Sequence, residues 1–297
     1  MNNASVKKEV IAFVADTQAP MWIEGIWLKK DNNPEATKMV LHDILRLKPA
    51  TLFMLGDVVT LGPSRRAWLT IDYFMKEFNR EKIPVYGILG NHELMQRPVK
   101  GEKNFQEFFP DHIRTGYVQI VDSVAVLLMN SNITSLSTAE VKKQFDWYNK
   151  TLHDLDGSDA IKSVIVTCHH PPFTNSKMVS PSNFVQQNFV PGFIKSHKAK
   201  LFLTGHAHRF EYFRYEDKDF LVIGGGGGLG HPPKRGGVRF PDLAPEYKPS
   251  FHYLTVERTA DSLIVQSHAL KKDFKGFEFG KRLSISIATN DSRSGTH

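Results

Sequence analysis

Five apolar runs in this chain stop abruptly at residues able to do chemistry. Residues 10–15 lead into Asp16-Thr17-Gln18, residues 51–55 into Gly56-Asp57, and residues 83–89 into Gly90-Asn91-His92-Glu93. Residues 163–167 lead into Cys168-His169-His170-Pro171-Pro172, and residues 200–203 into Thr204-Gly205-His206-Ala207-His208. Carboxylates, amides and imidazoles are costly to bury without partners, so groups at the tips of buried runs face a polar cleft or coordinate an ion. A single histidine is usually a packing or surface residue. Several at strand ends, together with carboxylates and an amide, make a mixed oxygen and nitrogen donor set suited to divalent Mn, Fe, Zn or Mg. No thiolate dominates, which excludes a structural zinc knuckle.

The elements that must carry these groups follow from the pattern. Each of the runs has the length of a buried strand. Between the first and second, Asn33-Pro34 reads as a cap with proline at the first helical position, and Val40, Leu41, Ile44, Leu45 and Leu47 supply one apolar face up to Pro49. Residues 66–80 carry Trp68, Leu69, Ile71, Phe74, Met75 and Phe78 at helical spacing. The resulting strand-helix alternation is the signature of an α/β fold with largely parallel strands, where functional groups gather at the carboxyl ends. A short helix at 105–109, a hairpin across 121–123, a capped amphipathic helix opening at Ser137-Thr138-Ala139-Glu140, and a helix at 184–197 broken at Pro191-Gly192 are expected in turn. After residue 208 the pattern changes to strands without long helices, which predicts mixed or antiparallel pairing. A single domain over 1–270 is expected, with a polar extension over 271–297 that is partly disordered, Ser292 to His297 above all.

Composition narrows the class. Hydrophobic residues at 41% and charged residues at 23% describe a globular protein. No apolar run approaches the roughly 20 residues of a membrane span. The first residues lack the basic, apolar and small-residue pattern of an export signal, so the cytoplasm is the expected compartment. Cys168 is the only cysteine, which closes any disulfide framework. The formal charge of +7 is spread thinly instead of lying along a stripe, which argues against nucleic acid as a partner and for a surface mildly favouring anions.

The five motifs, in this order and after these strands, resemble those of the calcineurin-like metallophosphoesterase superfamily. The resemblance covers about residues 10–225 and is most specific at Gly90-Asn91-His92-Glu93 and Gly205-His206-Ala207-His208. It implies two mixed β-sheets packed face to face, flanked by helices, with two divalent metal ions at one edge and a small phosphate ester as substrate. Carried over by position, Asp57 would bridge both ions. Asp16 and His208 would serve the first ion, and Asn91, His169 and His206 the second. His92 would bind no metal and would protonate the leaving oxygen. The chemistry is coherent: paired cations activate water and neutralise phosphoryl charge, leaving the protein to supply one proton donor.

One position departs from the pattern. Gln18 stands where many members have histidine, which implies a weak oxygen ligand, or a residue holding a water, at a first site preferring Mn or Mg. Val58 stands where purple acid phosphatase chemistry requires tyrosine, which argues against a coloured ferric site. A non-catalytic or single-metal binding protein on the same fold is the alternative that Gln18 raises. A nuclease is suggested by net charge alone and lacks a capping domain. Arg65 and Arg66 are candidates for clamping a substrate anion, as is His170, beside the ligand His169. The glycine run 224–228 is read either as a phosphate cradle of backbone amides or as a tight loop. Specificity is expected from the loops 19–33, with Trp22 and Trp27 as possible walls, and 230–249.

Overall fold

The computed structural model describes residues 9–21, 28, 31–234 and 240–288. Trp22, Trp27 and the terminal segment 292–297 lie outside the described residues. In chain order the strands are β1 (Val10–Val14), β2 (Thr51–Met54), β3 (Val85–Gly87), β4 (Tyr117–Val121), β5 (Val124–Leu128) and β6 (Ser163–Thr167). They continue with β7 (Ala199–Thr204), β8 (Phe210–Tyr215), β9 (Lys218–Ile223), β10 (His252–Arg258), β11 (Ser262–Leu270) and β12 (Phe277–Ser286). The helices are α1 (Asn33–Leu47), α2 (Leu69–Arg80), α3 (Asn91–Leu94), α4 (Pro98–Phe108), α5 (Thr138–Gly157), α6 (Asn183–Asn188) and α7 (Val190–Lys195).

These strands form two six-stranded sheets, ordered β12-β11-β10-β1-β2-β3 and β4-β5-β6-β7-β9-β8. Strand alternation explains why they pack face to face. Ile11, Phe13, Phe53 and Leu55 of the first sheet share one core with Val124, Val126, Leu128, Ile165, Leu201 and Leu203 of the second. The alternate residues Ala12, Val14, Leu52 and Met54 point the other way, onto α1 and α2. Ala125, Leu127, Val164, Val166 and Phe202 do the same beneath α5, α6 and α7. Strands covered on both faces read as unbroken apolar runs, which is how they appear in the sequence.

Each sheet is parallel where it matters for the site. β1 pairs in parallel with β2, and β2 with β3. β5, β6, β7 and β9 also run parallel. The five motifs therefore emerge at carboxyl ends, shared between the two sheets. Asp16, Asp57 and Asn91 follow strands of the first sheet; His169, His206 and His208 follow strands of the second. The site is a seam.

Local differences have physical causes. Asn32 caps α1 from the left-handed region at φ 48°, not Asn33. Asn33 instead donates from Nδ2 to the carbonyls of Gly227 and Gly228, at 2.8 and 3.1 Å. The expected helix at 105–109 is the end of the longer α4. The break in the 184–197 helix falls at Phe189, because Pro191 occupies the first turn of α7, where a missing N–H costs nothing. Residues 277–286, expected in an extension beyond 270, form β12 and pair with β11, while Ile285 and Ile287 enter the central core. An edge strand with one solvated face alternates polar and apolar residues, so composition alone reads it as polar. The hairpin at 121–123 is present, with Asp122 and Ser123 both at positive φ (44° and 63°), as a two-residue turn requires. Ser137 and Glu140 make the expected capping box. No helix among the described residues is long and apolar enough to cross a membrane.

Candidate metal centre

Asp57 stands at the middle of the seam, 1% exposed. Its Oδ1 accepts the backbone N–H of His92 at 2.8 Å. Its Oδ2 lies 3.2 Å from His169 Nε2 and 3.9 Å from His92 Nε2. Burial favours the protonated acid, but the surrounding imidazoles of His169, His92 and His206 hold the carboxyl well below the usual carboxylate range. The backbone is bent to present it: Asp57 has φ 49°, and two other candidate ligands, Asp16 and His206, also lie in the left-handed region at 61° and 65°. Strain at non-glycine residues of this kind costs of order 1–3 kcal/mol each and clusters at functional sites.

Gly90 explains the turn that ends β3. A Cβ there would sit 2.1 Å from Asp57 Oδ1 and 2.2 Å from Asp57 N, both fixed atoms. Gly90→Ala is therefore expected to displace the Asp57 carboxylate and weaken divalent-metal binding about tenfold or more, read by calorimetry beside an unchanged far-UV circular dichroism spectrum.

Glu93 is the brace behind Asp57. Fully buried, its carboxylate accepts from the backbone N–H groups of Asp57 (2.9 Å), Gly90 (2.7 Å) and Val59 (3.1 Å). Burial, followed by the charge of Asp57, pushes its pKa up to about 7, against the pull of those N–H donors.

Around this axis the donors fall into two groups: Asp16, Asp57 and His208, and His169, His170 and His206, each with ligand atoms within 4.8 Å of one another. Asn91 Oδ1 joins the second group, 3.2 Å from His169 Nε2. The tautomers are set from outside. His169 Nδ1 faces the Leu55 carbonyl at 2.9 Å and His208 Nδ1 the Leu229 carbonyl at 2.8 Å. A carbonyl can only accept, so each ring donates from Nδ1 and turns Nε2 inward, the arrangement metal-binding histidines use. Burial alone would lower both pKa values; Asp57 beside His169 instead lifts it to about 9, and Asp16 raises that of His208. Each ring thus stands beside a carboxylate that favours positive charge, and the donor set fits a cation.

Gln18 completes the first group in a definite orientation. With its amide nitrogen donating to the backbone carbonyls of Asp57 and Asp16 (2.8 and 3.1 Å), its oxygen faces His208 Nε2 at 3.1 Å. Both carboxylate oxygens of Asp16 accept the His206 N–H, at 3.0 and 2.9 Å. The His206 ring packs 5.0 Å from that of His169 and 4.5 Å from that of His170. Burial, then those two neighbours, push its pKa well down, so it stays a neutral electron-pair donor.

A sequence profile of calcineurin-like phosphoesterases matches residues 10–210, more than half of the chain. The chain belongs to the calcineurin-like phosphoesterases. The chain resembles purple acid phosphatase PPD1 from yellow lupin (Lupinus luteus) seeds with a TM-score of 0.67 at 15% identity, over 94% of its own length and 53% of the lupin protein. It therefore spans about half the length of that relative. GAP50, described as the anchor in the inner membrane complex of Plasmodium, matches with a TM-score of 0.67 at 14% identity over 95% of this chain and 89% of that one. A dimetal phosphatase from Danio rerio matches at 0.59 and 14% identity, over 94% and 99%. At these identities the likeness is one of fold. No protein of curated function matches the chain significantly.

The remaining candidate residues separate clearly. His92 donates from Nδ1 to the Thr60 carbonyl at 2.8 Å and turns Nε2 toward Asp57. His170 N and Nδ1 are both held by Ser131 Oγ, at 3.0 and 2.8 Å, and burial with the nearby His169 pushes its pKa down to about 3. Arg65 is turned to Glu107 in an exposed ion pair. No contact joins Arg65 or Arg66 to the metal-centre groups among the described residues. The glycine run is a tight loop: the N–H groups of Gly224, Gly225, Gly226 and Gly228 bond to the carbonyls of Arg209, Ile223, Ala15 and Asp16. Four of the five amides of the run are thereby committed inside the fold, so the run is not a phosphate cradle of converging amides. Sequence reasoning missed Ser131, the Leu229 carbonyl and His231, whose ring stacks on His208 at 4.2 Å. Only the placement of His231 just after the glycine run hinted at a role.

Proposed function

We propose that this chain is a dinuclear metal-dependent phosphoesterase that hydrolyses a small phosphomonoester or phosphodiester. The observation carrying this reading is the convergence around Asp57 of two donor groups, each drawing on residues from both sheets. Asp16, Gln18, His208 and Asp57 would hold one divalent ion, and Asp57, Asn91, His169 and His206 the other. When bound, the pair supplies an activated water and charge neutralisation for the phosphoryl group. The chain's own residues do the rest. Glu93 holds Asp57 in place through its loop amides, so the carboxylate that would serve both ions is set before substrate arrives. His92, pinned through Nδ1–H on the Thr60 carbonyl, would hand a proton from Nε2 to the departing oxygen from its imidazolium form, in which both ring nitrogens carry a proton. His170, fixed by Ser131, borders the side of His206 and orients the ester there. The fit of Gln18 oxygen beside His208 favours Mn or Mg over a ferric ion.

Protein reconstituted with Mn is expected to cleave an aryl phosphate or a bis-aryl phosphate, and to lose that activity on chelation and regain it on adding Mn back. Absence of turnover across a panel of phosphate esters crossed with Mn, Mg, Fe and Zn would end this reading. A second reading, a non-catalytic or single-metal binding protein, draws on Gln18 and on the fold likeness to GAP50, described as an anchor. It requires at most one tightly bound ion per chain, so elemental analysis returning two counts against it.

A further inference from the structure

His231 lies outside every ligand set above, yet its ring is held in place beside the centre. The segment carrying it is tied down on both sides. His231 N donates to the His208 carbonyl at 3.1 Å, Lys177 N to the Pro232 carbonyl at 2.9 Å, and Lys234 N to the Asn175 carbonyl at 2.8 Å. Arg209 Nη1 donates to the His231 carbonyl at 2.7 Å. The ring itself stacks on His208, at 4.2 Å between centroids and 21° between planes.

The tautomer of His231 follows from one contact. Its Nδ1 faces the backbone N–H of His208 at 3.3 Å, with Ser176 Oγ at the same distance. A backbone N–H can only donate, so Nδ1 must accept and the proton of the neutral ring resides on Nε2. Nε2 is absent from the buried unpartnered atoms, and among the described residues it has no acceptor. It is an oriented donor with solvent access, one ring thickness from His208.

We propose that His231 donates a hydrogen bond from Nε2 to a phosphate oxygen of the substrate, on the Asp16 and His208 side of the centre. The inference rests on the phosphate-ester reading above and adds a substrate contact that none of the five motifs contains. A neutral donor suits this place, because it binds an anion's oxygen without adding a positive charge against His208 and the cation it would hold.

Inorganic phosphate titrated into Mn-loaded protein by calorimetry is the test. His231→Phe keeps a ring against His208 and removes the donor; phosphate affinity is expected to fall about tenfold or more, with Mn affinity unchanged. His231→Gln, which can place an amide N–H near the position of Nε2, is expected to recover most of the loss and guards against a folding defect in the first variant. Unchanged phosphate affinity in His231→Phe overturns the proposal. A parallel loss of Mn affinity also overturns it, by reducing His231 to a packing partner of His208, as does a Mn-loaded wild type that binds no phosphate. Phosphate binding that depends on His231 in a protein that hydrolyses no ester would sink the hydrolytic reading and leave this one standing.

Discussion

Asp57→Asn is expected to abolish turnover, by on the order of 10⁴-fold or more, as when one member of a concerted catalytic unit is removed. The substitution is nearly isosteric, so the His92 N–H can still bond to an oxygen at the Oδ1 position. The loss falls on the other side. An amide nitrogen would then face His169 Nε2, now 3.2 Å from Oδ2, and only one oxygen would remain where two ions need one each. Elemental analysis of the purified variant should find metal occupancy reduced along with activity, while its thermal melting stays cooperative. Turnover within tenfold of wild type would show that Asp57 does not join the two donor groups.

Glu93→Ala is expected to act on the fold first. Three backbone N–H groups, those of Asp57, Val59 and Gly90, lose their acceptor inside the protein. At roughly 1–3 kcal/mol for each buried unsatisfied donor, the cost is about 3 kcal/mol or more, a large share of a typical domain's stability. Relief of the desolvated carboxylate offsets part of this and keeps the figure at the lower end. Glu93→Gln is the milder companion. Its single oxygen can occupy the Oε2 position, which serves Asp57 and Gly90, leaving only Val59 facing an amide. Urea denaturation should rank wild type above Glu93→Gln and Glu93→Ala last. Equal midpoints for wild type and Glu93→Ala would remove Glu93 from its bracing role.

The layout of the centre was largely legible because its strands are covered on both faces. That makes them unbroken apolar runs, and a polar residue ending such a run announces itself. The same logic hid other parts. β12 has a solvated face, so Phe277–Ser286 reads as a polar tail although Ile285 is in the core. Division of the motifs between two sheets depends on β10 inserting beside β1, a pairing some 240 residues apart that no local pattern encodes. Asn33 looked like a cap because its type and neighbour fit one; its amide serves the glycine run instead. Groups acting through backbone carbonyls, Leu55, Thr60 and Leu229, leave no signature in residue type at all.

The seam between the sheets carries a mechanical consequence. Behind the centre, the two sheets are held together by apolar contact, which is non-directional and allows sliding. At the carboxyl edge, an ion shared by Asp57 and His169 would join one sheet to the other through bonds of fixed length. Its binding free energy would then oppose separation of the halves and appear in global unfolding instead of in loop ordering alone. Amides of β1 and β2 should gain hydrogen-exchange protection on metal loading together with those of β6 and β7, as one cooperative block.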